Sequence, residues 1–398
     1  MSEPVVAAST LGNDGSEVRY AIGCMTGTSL DGLDAALVRV TGHGLGMSAS
    51  LVAHHAVDLD PQLADLLRSL AEGRPHPAWD FLRAGRAVGE LYAQGVEELL
   101  AGQDGDLAVD LVAAHGQTLW HLGDEGLSWQ LFDPWPIVRR LGIPVVYDLR
   151  QADLIAGGQG APITPIADPI LYGRGERLAV VNLGGVCNYT LSFPAAEGSA
   201  GLGEIRAEDL CPCNLLMDGM ARVLLNKAYD KDGQATRAGR VLEPVVASIE
   251  AGLVQALEQR FEGPQSLGRE QFGEAWIKGL LAGNPDVSAE DWLASSAASI
   301  ARQLVAKIDP EGVERAILAG GGSLNPGLTA QIAQASQHPD IWRLSQDLGI
   351  PGEAREAAEF AILGLLSSDG VPVTLEAVTG AQNPGVAGSW AWPTPDLG

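Results

Sequence analysis

The chain of 398 residues is short of cysteine and has no long apolar run, and each shortage excludes a class of protein. The four cysteines, Cys24, Cys187, Cys211 and Cys213, are too few and too unevenly placed for a disulfide framework. Cys211 and Cys213 flank a single residue, so they lack the two-residue spacer of zinc and thioredoxin motifs. No window reaches the roughly 18 apolar residues of a membrane span. We therefore expect a reducing compartment and no membrane partner.

Basic residues are also scarce, because 25 Lys+Arg face 50 Asp+Glu and the formal net charge is -25 at pH 7. A chain this acidic repels phosphate backbones, so we expect no nucleic-acid partner. An anionic ligand must then be held locally, by glycine backbone, an arginine or a metal ion. The start of the chain lacks the basic and apolar stretches of a signal peptide. We expect a flexible N-terminus at 1–18 and a cytoplasmic location.

Two nucleotide-binding signatures are absent as well. Neither the G-x-G-x-x-G dinucleotide fingerprint nor the Walker A motif occurs where it would have to lie. The chain opens instead with a predicted hairpin of strands 19–25 and 34–40. Further strands are predicted at 111–114, 143–147, 178–183 and 316–319, and helices at about 214–230, 238–261, 288–309 and 353–367. This alternation predicts a mixed α/β protein, and the length predicts two domains.

The tip of the opening hairpin has the residues of a phosphate-binding loop. Gly27 and Gly32 let the backbone approach a ligand closely, and Thr28 and Ser29 offer hydroxyl and N–H donors to phosphate oxygens. Asp31 is a candidate to hold hydrated Mg²⁺ through water. The same pattern also suits a simple hairpin turn with glycine in its tight positions, and the residues alone do not decide between these two interpretations.

Two later glycine clusters follow predicted strands and are candidates for nucleotide contact. They are Gly184 and Gly185 in the first cluster, and Gly320, Gly321, Gly322 and Asn325 in the second. Each cluster alone suits close packing of a strand on a helix equally well. Three such loops, in a chain without Rossmann or P-loop signatures, favour an actin-like arrangement in which two domains hold ATP.

A series of sequence blocks extends from Gly23 to Ala381. The first block is Gly23 to Asp34, and the others are His115 to Thr118 with His121, Asp148 to Asp153, Gly157 to Pro162, Asn182 to Asn188, Asp209 to Asn214, Gly268 to Phe272, Gly320 to Pro326, Glu356 to Ala361 and Val378 to Ala381. In residues and in order these blocks resemble those of the anhydro-N-acetylmuramic acid kinase family. The first block differs from the family signature by Thr26 in place of serine.

The resemblance implies a two-domain actin-like ATPase fold of the ribonuclease H-like class, with ATP in an interdomain cleft. It places domain one at 19–147 plus 378–398 and domain two at 148–377, and it suggests a homodimer. The implied reaction uses ATP and Mg²⁺. Water opens the 1,6-anhydro bridge of anhydro-N-acetylmuramic acid and the freed 6-oxygen is phosphorylated, giving N-acetylmuramic acid 6-phosphate and ADP in peptidoglycan recycling.

The same resemblance makes Asp209 the catalytic base, because it opens the block that matches Asp-x-Gly-Pro-Gly-Asn of the family. The alternative is an Asp in a turn that makes only local backbone hydrogen bonds. Cys211 and Cys213 replace both glycines of that block. If those glycines have positive φ, a Cβ there costs about a kcal/mol or more, or reshapes the loop.

Three residues are candidates to bind the sugar. Arg150 is a candidate for the lactyl carboxylate, and its alternative is a structural ion pair with Asp148 or Asp153. Glu356 and Gln117 can contact sugar hydroxyl groups or serve the structure. His115 can also contact the sugar or have a structural role. Asp168 stands where the family has histidine, and we assign it no role.

Two other functions remain open. One is a kinase for another 1,6-anhydro sugar such as levoglucosan, and a carboxylate-binding pocket around Arg150 separates the two kinases. The other is a non-catalytic ATP-binding module in which Cys211 and Cys213 have disabled phosphoryl transfer.

Overall fold

The computed structural model describes residues 10–11, 17–27, 30, 32–103, 105, 107–196, 201–258 and 272–394. The strands are β1 (Thr10–Leu11), β2 (Glu17–Thr26), β3 (Gly32–Thr41), β4 (Ser48–Asp58), β5 (Leu111–His115), β6 (Gln117–Leu122), β7 (Leu127–Leu131), β8 (Val145–Tyr147), β9 (Leu178–Leu183), β10 (Val186–Ser192), β11 (Ile205–Pro212), β12 (Arg315–Ala319), β13 (Trp342–Leu344) and β14 (Ser389–Ala391). The α-helices are α1 (Pro61–Ala71), α2 (Ala78–Ala101), α3 (Trp135–Leu141), α4 (Gln151–Ile155), α5 (Asp168–Tyr172), α6 (Asn214–Met220), α7 (Gln234–Ala238), α8 (Glu243–Glu258), α9 (Glu274–Ala282), α10 (Ala289–Ile308), α11 (Pro326–Ala335), α12 (Gly352–Ser368) and α13 (Glu376–Thr379). Within these ranges, no helix has the length and hydrophobicity that crossing a bilayer requires.

The chain forms two compact units. Unit 1 comprises Met1–Arg174, Ala195–Ile205 and Glu353–Gly398, and unit 2 comprises Gly175–Pro194 and Arg206–Gly352. The main sheet of unit 1 has the order β14-β8-β5-β2-β3-β4, with β3 antiparallel to both neighbours and β5 parallel to β2 and to β8.

The sheet of unit 2 repeats the topology of unit 1. Its order is β11-β10-β9-β12-β13, with β10 antiparallel to β9, and β12 parallel to β9 and to β13. Leaving aside the added strands β1 and β14, both sheets have their strands in the order third, second, first, fourth, fifth. This is the ribonuclease H-like order, and its presence in both units confirms the predicted α/β class and two-domain architecture.

Each unit has its own hydrophobic core. The central strands β5 and β9 are apolar along most of their length, as expected where both faces of a sheet are covered. In unit 1, α2 buries Val88, Tyr92 and Val96 at helical spacing against this core. In unit 2, α10 buries Trp292 and Leu304 in the same way.

Helix α12 packs directly on the sheet of unit 1. A Cβ on Gly23 in β2 would overlap the carbonyl oxygen of Ala357, and a Cβ on Gly364 would lie 2.6 Å from that of Ala113. Glycine on both surfaces therefore permits the close approach. Unit 1 includes 148–174, 195–205 and 353–377, which the family resemblance places in domain two.

We expect Gly23→Ala to lower the free energy of unfolding by about 3 kcal/mol, the upper end of what overpacking a core costs. The obstructing atoms are backbone atoms of α12, which cannot rotate away. Urea denaturation of the purified chain measures the change. The matched control is Gly385→Ala, also in unit 1, where a new Cβ meets nothing within 4 Å. Equal stability of the two variants would contradict the close packing of α12.

Candidate active site

The predicted phosphate-binding hairpin is formed by β2 and β3 in unit 1. Beyond Thr26, the Gly27 carbonyl accepts a hydrogen bond from the Leu30 amide at 3.3 Å, and Leu30 has a positive φ of 58°. Three predicted contact residues of this tip lie outside the described part of the chain: Thr28, Ser29 and Asp31. Their contacts with phosphate and Mg²⁺ stay predictions.

Buried hydroxyl groups connect the base of this hairpin to β5. The Tyr92 hydroxyl donates to the carbonyl of His115, and it lies 2.9 Å from the Thr26 hydroxyl. Burial raises the pKa of Tyr92, so its phenol keeps the proton that it donates. The hairpin is thereby fixed to the end of β5, after which Gln117 follows.

Arg150 lies at the start of α4 and points its guanidinium at His115. Its Nη2 is 2.7 Å and its Nε 3.2 Å from His115 Nε2, and its Nη1 donates to the Gly160 carbonyl at 2.8 Å. Among the described residues, neither Asp148 nor Asp153 forms an ion pair with it, so the structural alternative for Arg150 is not observed. Burial lowers the pKa of Arg150 to about 10, which leaves it charged at neutral pH.

The glycine loop after α4 is held by Asp153 instead. One carboxylate oxygen of Asp153 accepts the Gly160 amide and the other accepts the Thr379 hydroxyl, each at 2.6 Å. A Cβ on Gly158 would overlap this carboxylate. Sequence reasoning missed the pairing of Asp153 with Thr379, although both residues belong to matched blocks. The loop and the Gly160 carbonyl that contacts Arg150 are therefore fixed in place.

Gln117 and Glu356 are the other two predicted sugar-binding residues, and both are in unit 1. Gln117 is buried, and its Oε1 has no hydrogen-bond donor among the described residues. Glu356 is half-buried in the first turns of α12, and its charge acts on Arg150, where it opposes the fall in pKa caused by burial. The Glu356 carboxylate therefore lies close enough to Arg150 to act on its charge, and Gln117 follows His115, which Arg150 contacts, by two residues.

In unit 2, the two predicted glycine clusters follow the parallel neighbours β9 and β12, so both lie at the same edge of the sheet. Gly320 and Gly322 are required by packing, because a Cβ on either would meet the end of β9 around Leu183. By contrast, a Cβ on Gly185 or Gly321 would make only ordinary contacts. The structure therefore leaves Gly185 and Gly321 accessible to a ligand.

An asparagine is bonded to each of these loops. Asn214 begins α6, donates from its side chain to the Leu183 carbonyl at 3.1 Å, and donates its backbone amide to the Gly184 carbonyl at 2.9 Å. Asn325 caps α11, since its Oδ1 accepts the amides of Gly327 and Leu328 at 2.9 and 3.2 Å. The side-chain oxygen of Asn325 is thus already used within the protein.

Asp209 lies in β11 rather than in a turn before α6, and it is exposed. The two cysteines that follow it are buried, with Cys211 2% and Cys213 0% exposed, in the core of unit 2. Neither has a positive φ, and φ of Cys213 is -110°. The expected backbone cost of replacing the family glycines is therefore not observed. Burial raises the pKa of the Cys213 thiol, which stays a neutral core side chain.

Asp168, to which no role was assigned, is fully buried in unit 1 and pairs with Arg355 at 2.9 Å. Arg355 also lies 2.6 Å from the buried Glu359 carboxylate. Burial raises the pKa of Glu359 well above its usual range, and the charge of Arg355 opposes this rise. These contacts hold the start of α12, and Arg355 directly precedes Glu356. Asp168 is therefore a structural residue.

The described part of the chain contains no group of three or more His, Cys, Asp or Glu side chains arranged to hold a metal ion. A hydrated Mg²⁺ does not require such a group, because it binds mainly water and substrate phosphates and needs only one or two carboxylates.

Comparison with known proteins gives one consistent result. The family model for anhydro-N-acetylmuramic acid kinase matches residues 19–393. The anhydro-N-acetylmuramic acid kinase of Salinibacter ruber is 34% identical, with 95% of this chain and 97% of that protein covered. The protein of the same name from Synechococcus sp. is 36% identical, with coverages of 93% and 98%. Among solved structures, the (R)-2-hydroxyglutaryl-CoA dehydratase component A of Acidaminococcus fermentans aligns with 88% of this chain and 99% of that chain, at 13% identity and a TM-score of 0.40.

Proposed function

The chain belongs to the anhydro-N-acetylmuramic acid kinase family, and from that premise we propose that it is an ATP-dependent sugar kinase of peptidoglycan recycling. The reaction adds water to 1,6-anhydro-N-acetylmuramic acid and transfers the γ-phosphoryl group of ATP to the 6-oxygen. The products are N-acetylmuramic acid 6-phosphate and ADP. The family match over residues 19–393 is the observation that carries this proposal.

Asp209 is the proposed base. Its carboxylate takes a proton from water as the water oxygen bonds to the anomeric carbon, and the bond from that carbon to the bridging oxygen breaks. The freed oxygen attacks the γ-phosphorus, ADP leaves, and Asp209 returns its proton to solvent. Exposure of Asp209 suits this exchange of protons with water. Neither Cys211 nor Cys213 has the positive φ that would require glycine, which supports catalytic competence over a disabled module.

Gly185 and Gly321 are the proposed phosphate contacts of unit 2, because their surfaces are open where Gly320 and Gly322 are packed. Gly184, Gly320, Gly322 and Asn325 are also proposed contacts, through backbone groups, since the Gly184 carbonyl and the Asn325 amide oxygen already serve the fold. In unit 1, Gly27, Thr28 and Ser29 are proposed to contact ATP. Bound Mg²⁺, held by Asp31 through water, would offset the negative charge of the phosphates.

Arg150 is proposed to bind the lactyl carboxylate of the sugar, because it is charged and no ion pair neutralises it among the described residues. Gln117 Oε1, which has no partner in the described part of the chain, is suited to accept a hydrogen bond from the sugar. The Glu356 carboxylate is suited to accept one from a sugar hydroxyl group. The Arg150 contact favours a carboxylate-bearing sugar over levoglucosan, which has hydroxyl groups but no carboxylate.

ADP release measured with three samples tests the proposed function: anhydro-N-acetylmuramic acid, levoglucosan and no sugar. We expect strong stimulation by the first sugar alone. Faster release with levoglucosan would support the alternative kinase. No stimulation by either sugar would support a non-catalytic ATP-binding module.

A homodimer in the cytoplasm completes the proposal, and its support is the family resemblance. Light scattering after size exclusion is expected to give about twice the 41.5 kDa of the chain. A mass of one chain at micromolar concentration would contradict the dimer without affecting the proposed reaction.

A further inference from the structure

His115 has a defined tautomer. Its Nδ1 lies 2.8 Å from the Gly116 carbonyl oxygen, which can only accept a hydrogen bond. Nδ1 must therefore carry the proton. In the neutral ring Nε2 then has a free lone pair, and this atom faces Nε and Nη2 of Arg150 at 3.2 and 2.7 Å. His115 Nε2 therefore accepts hydrogen bonds from Nε and Nη2, which form one edge of the guanidinium.

The imidazole ring is held on several sides. His115 is 4% exposed, and the ring of Phe360 meets it edge-on with the ring centroids 4.8 Å apart. The Tyr92 hydroxyl donates a hydrogen bond to the backbone carbonyl of His115. Since the ring is packed and bonded at both nitrogens, it fixes the direction in which Arg150 points.

Within the described ranges of the chain, the contacts of Arg150 leave two of its five N–H groups unused. Three of its five N–H groups donate to neutral acceptors, namely His115 Nε2 twice and the Gly160 carbonyl once. One N–H group remains on Nη1 and one on Nη2. A carboxylate that binds an arginine through two hydrogen bonds accepts this number of N–H groups. The charge also remains, because an imidazole acceptor does not neutralise it as a carboxylate would.

We propose that His115 is the positioning residue for anion recognition: the neutral imidazole orients Arg150 and leaves its positive charge for the carboxylate of the sugar. This inference rests on the proposed function, because it gives Arg150 the lactyl group as its ligand. It also adds a condition for sugar binding by Arg150, namely that His115 stays neutral with its proton on Nδ1.

The surroundings of His115 keep it neutral. Burial lowers its pKa below the ordinary 6.5, and the charges of Arg150 and His121 lower it further, while the bond to the Gly116 carbonyl opposes them. The negative charges of Glu356 on α12 and Asp153 on α4 raise the pKa of Arg150 and so favour its charged form. The KM for the sugar is therefore expected to stay constant as pH falls from 8 to about 6.5, the ordinary histidine value, and to rise only below it.

Two substitutions of His115 test the positioning role in the full chain. His115→Leu removes the acceptor, whereas His115→Gln keeps an oxygen near the position of Nε2. We expect His115→Leu to raise the KM for anhydro-N-acetylmuramic acid by about tenfold or more, with kcat and the KM for ATP little changed, and His115→Gln to recover most of the loss. With 1,6-anhydro-N-acetylglucosamine, which lacks the lactyl group, neither variant should change KM.

Two outcomes would overturn the proposal. Equal losses for the two sugars would show that His115 serves the fold alone, and so would equal losses in the leucine and glutamine variants. Thermal unfolding of both variants, measured alongside, separates a folding defect from a binding defect.

Nitrogen NMR of the imidazole tests the tautomer without turnover. At pH 7 we expect a protonated Nδ1 and an unprotonated Nε2 in the wild-type chain. An imidazolium, or a proton on Nε2, would overturn the proposal even if the enzyme is active. If no sugar stimulates ADP release, the proposed function fails, and the NMR result still reports on the contact between His115 and Arg150.

Discussion

Asp209→Asn is expected to lower the sugar-dependent turnover by about 10³-fold, within the range that a general base contributes. Asparagine has nearly the same shape as aspartate but cannot take a proton from water. The affinity for ATP should be unchanged, because the substitution leaves the glycine loops intact. The rate of ADP release gives turnover, and calorimetry gives the ATP affinity. In ¹⁸O-labelled water, the wild-type product should carry the label at the anomeric hydroxyl.

Glu208→Gln is the matched control for Asp209. Glu208 is also exposed on β11, and its carboxylate accepts the Tyr189 hydroxyl at 3.0 Å. We expect near-normal turnover in this variant. Near-normal turnover in Asp209→Asn would contradict the assignment of the base. Asp218 on α6 would then be the next carboxylate to replace, because burial raises its pKa to about 6.

The long periodic elements were predictable because their pattern alone specifies them. Helices α10 and α12 were predicted at 288–309 and 353–367 and occupy Ala289–Ile308 and Gly352–Ser368. Strand β9 was predicted at 178–183, where the structure has it. Strand β4 was not predicted, because it lies at the edge of the sheet and its mixed residues are all partly exposed.

The environment of single residues was less accessible to prediction. Backbone strain was predicted at Cys211 and Cys213 because the family has glycine at both positions. Whether a position requires glycine depends on its φ and on the free space around it, and one sequence gives neither. The partners of Arg150 show the same limit. Nearby aspartates suggested an ion pair, whereas the observed acceptors come from β5 and from the glycine loop.

Arg150→Ala should lower kcat/KM for anhydro-N-acetylmuramic acid by about 10² to 10³-fold, since truncating one partner of a buried charged contact costs several kcal/mol. The loss should come mainly through KM, and Arg150→Lys should recover only part of it, because a lysine cannot form the two-bond contact. Steady-state rates with both variants measure the effect. Arg139→Ala is the control, as Arg139 is an exposed arginine of α3 in the same unit.

A sugar without the lactyl carboxylate distinguishes a role of Arg150 in substrate recognition from a purely structural role. If Arg150 binds the lactyl carboxylate, 1,6-anhydro-N-acetylglucosamine should be phosphorylated equally slowly by the wild type and by Arg150→Ala, because that contact is missing in both cases. Arg150 also holds the Gly160 carbonyl, so a purely structural role would disturb the glycine loop and reduce activity towards both sugars. An equal loss with both sugars would therefore contradict carboxylate recognition, whereas a loss confined to the lactyl sugar assigns the charge of Arg150 to the substrate.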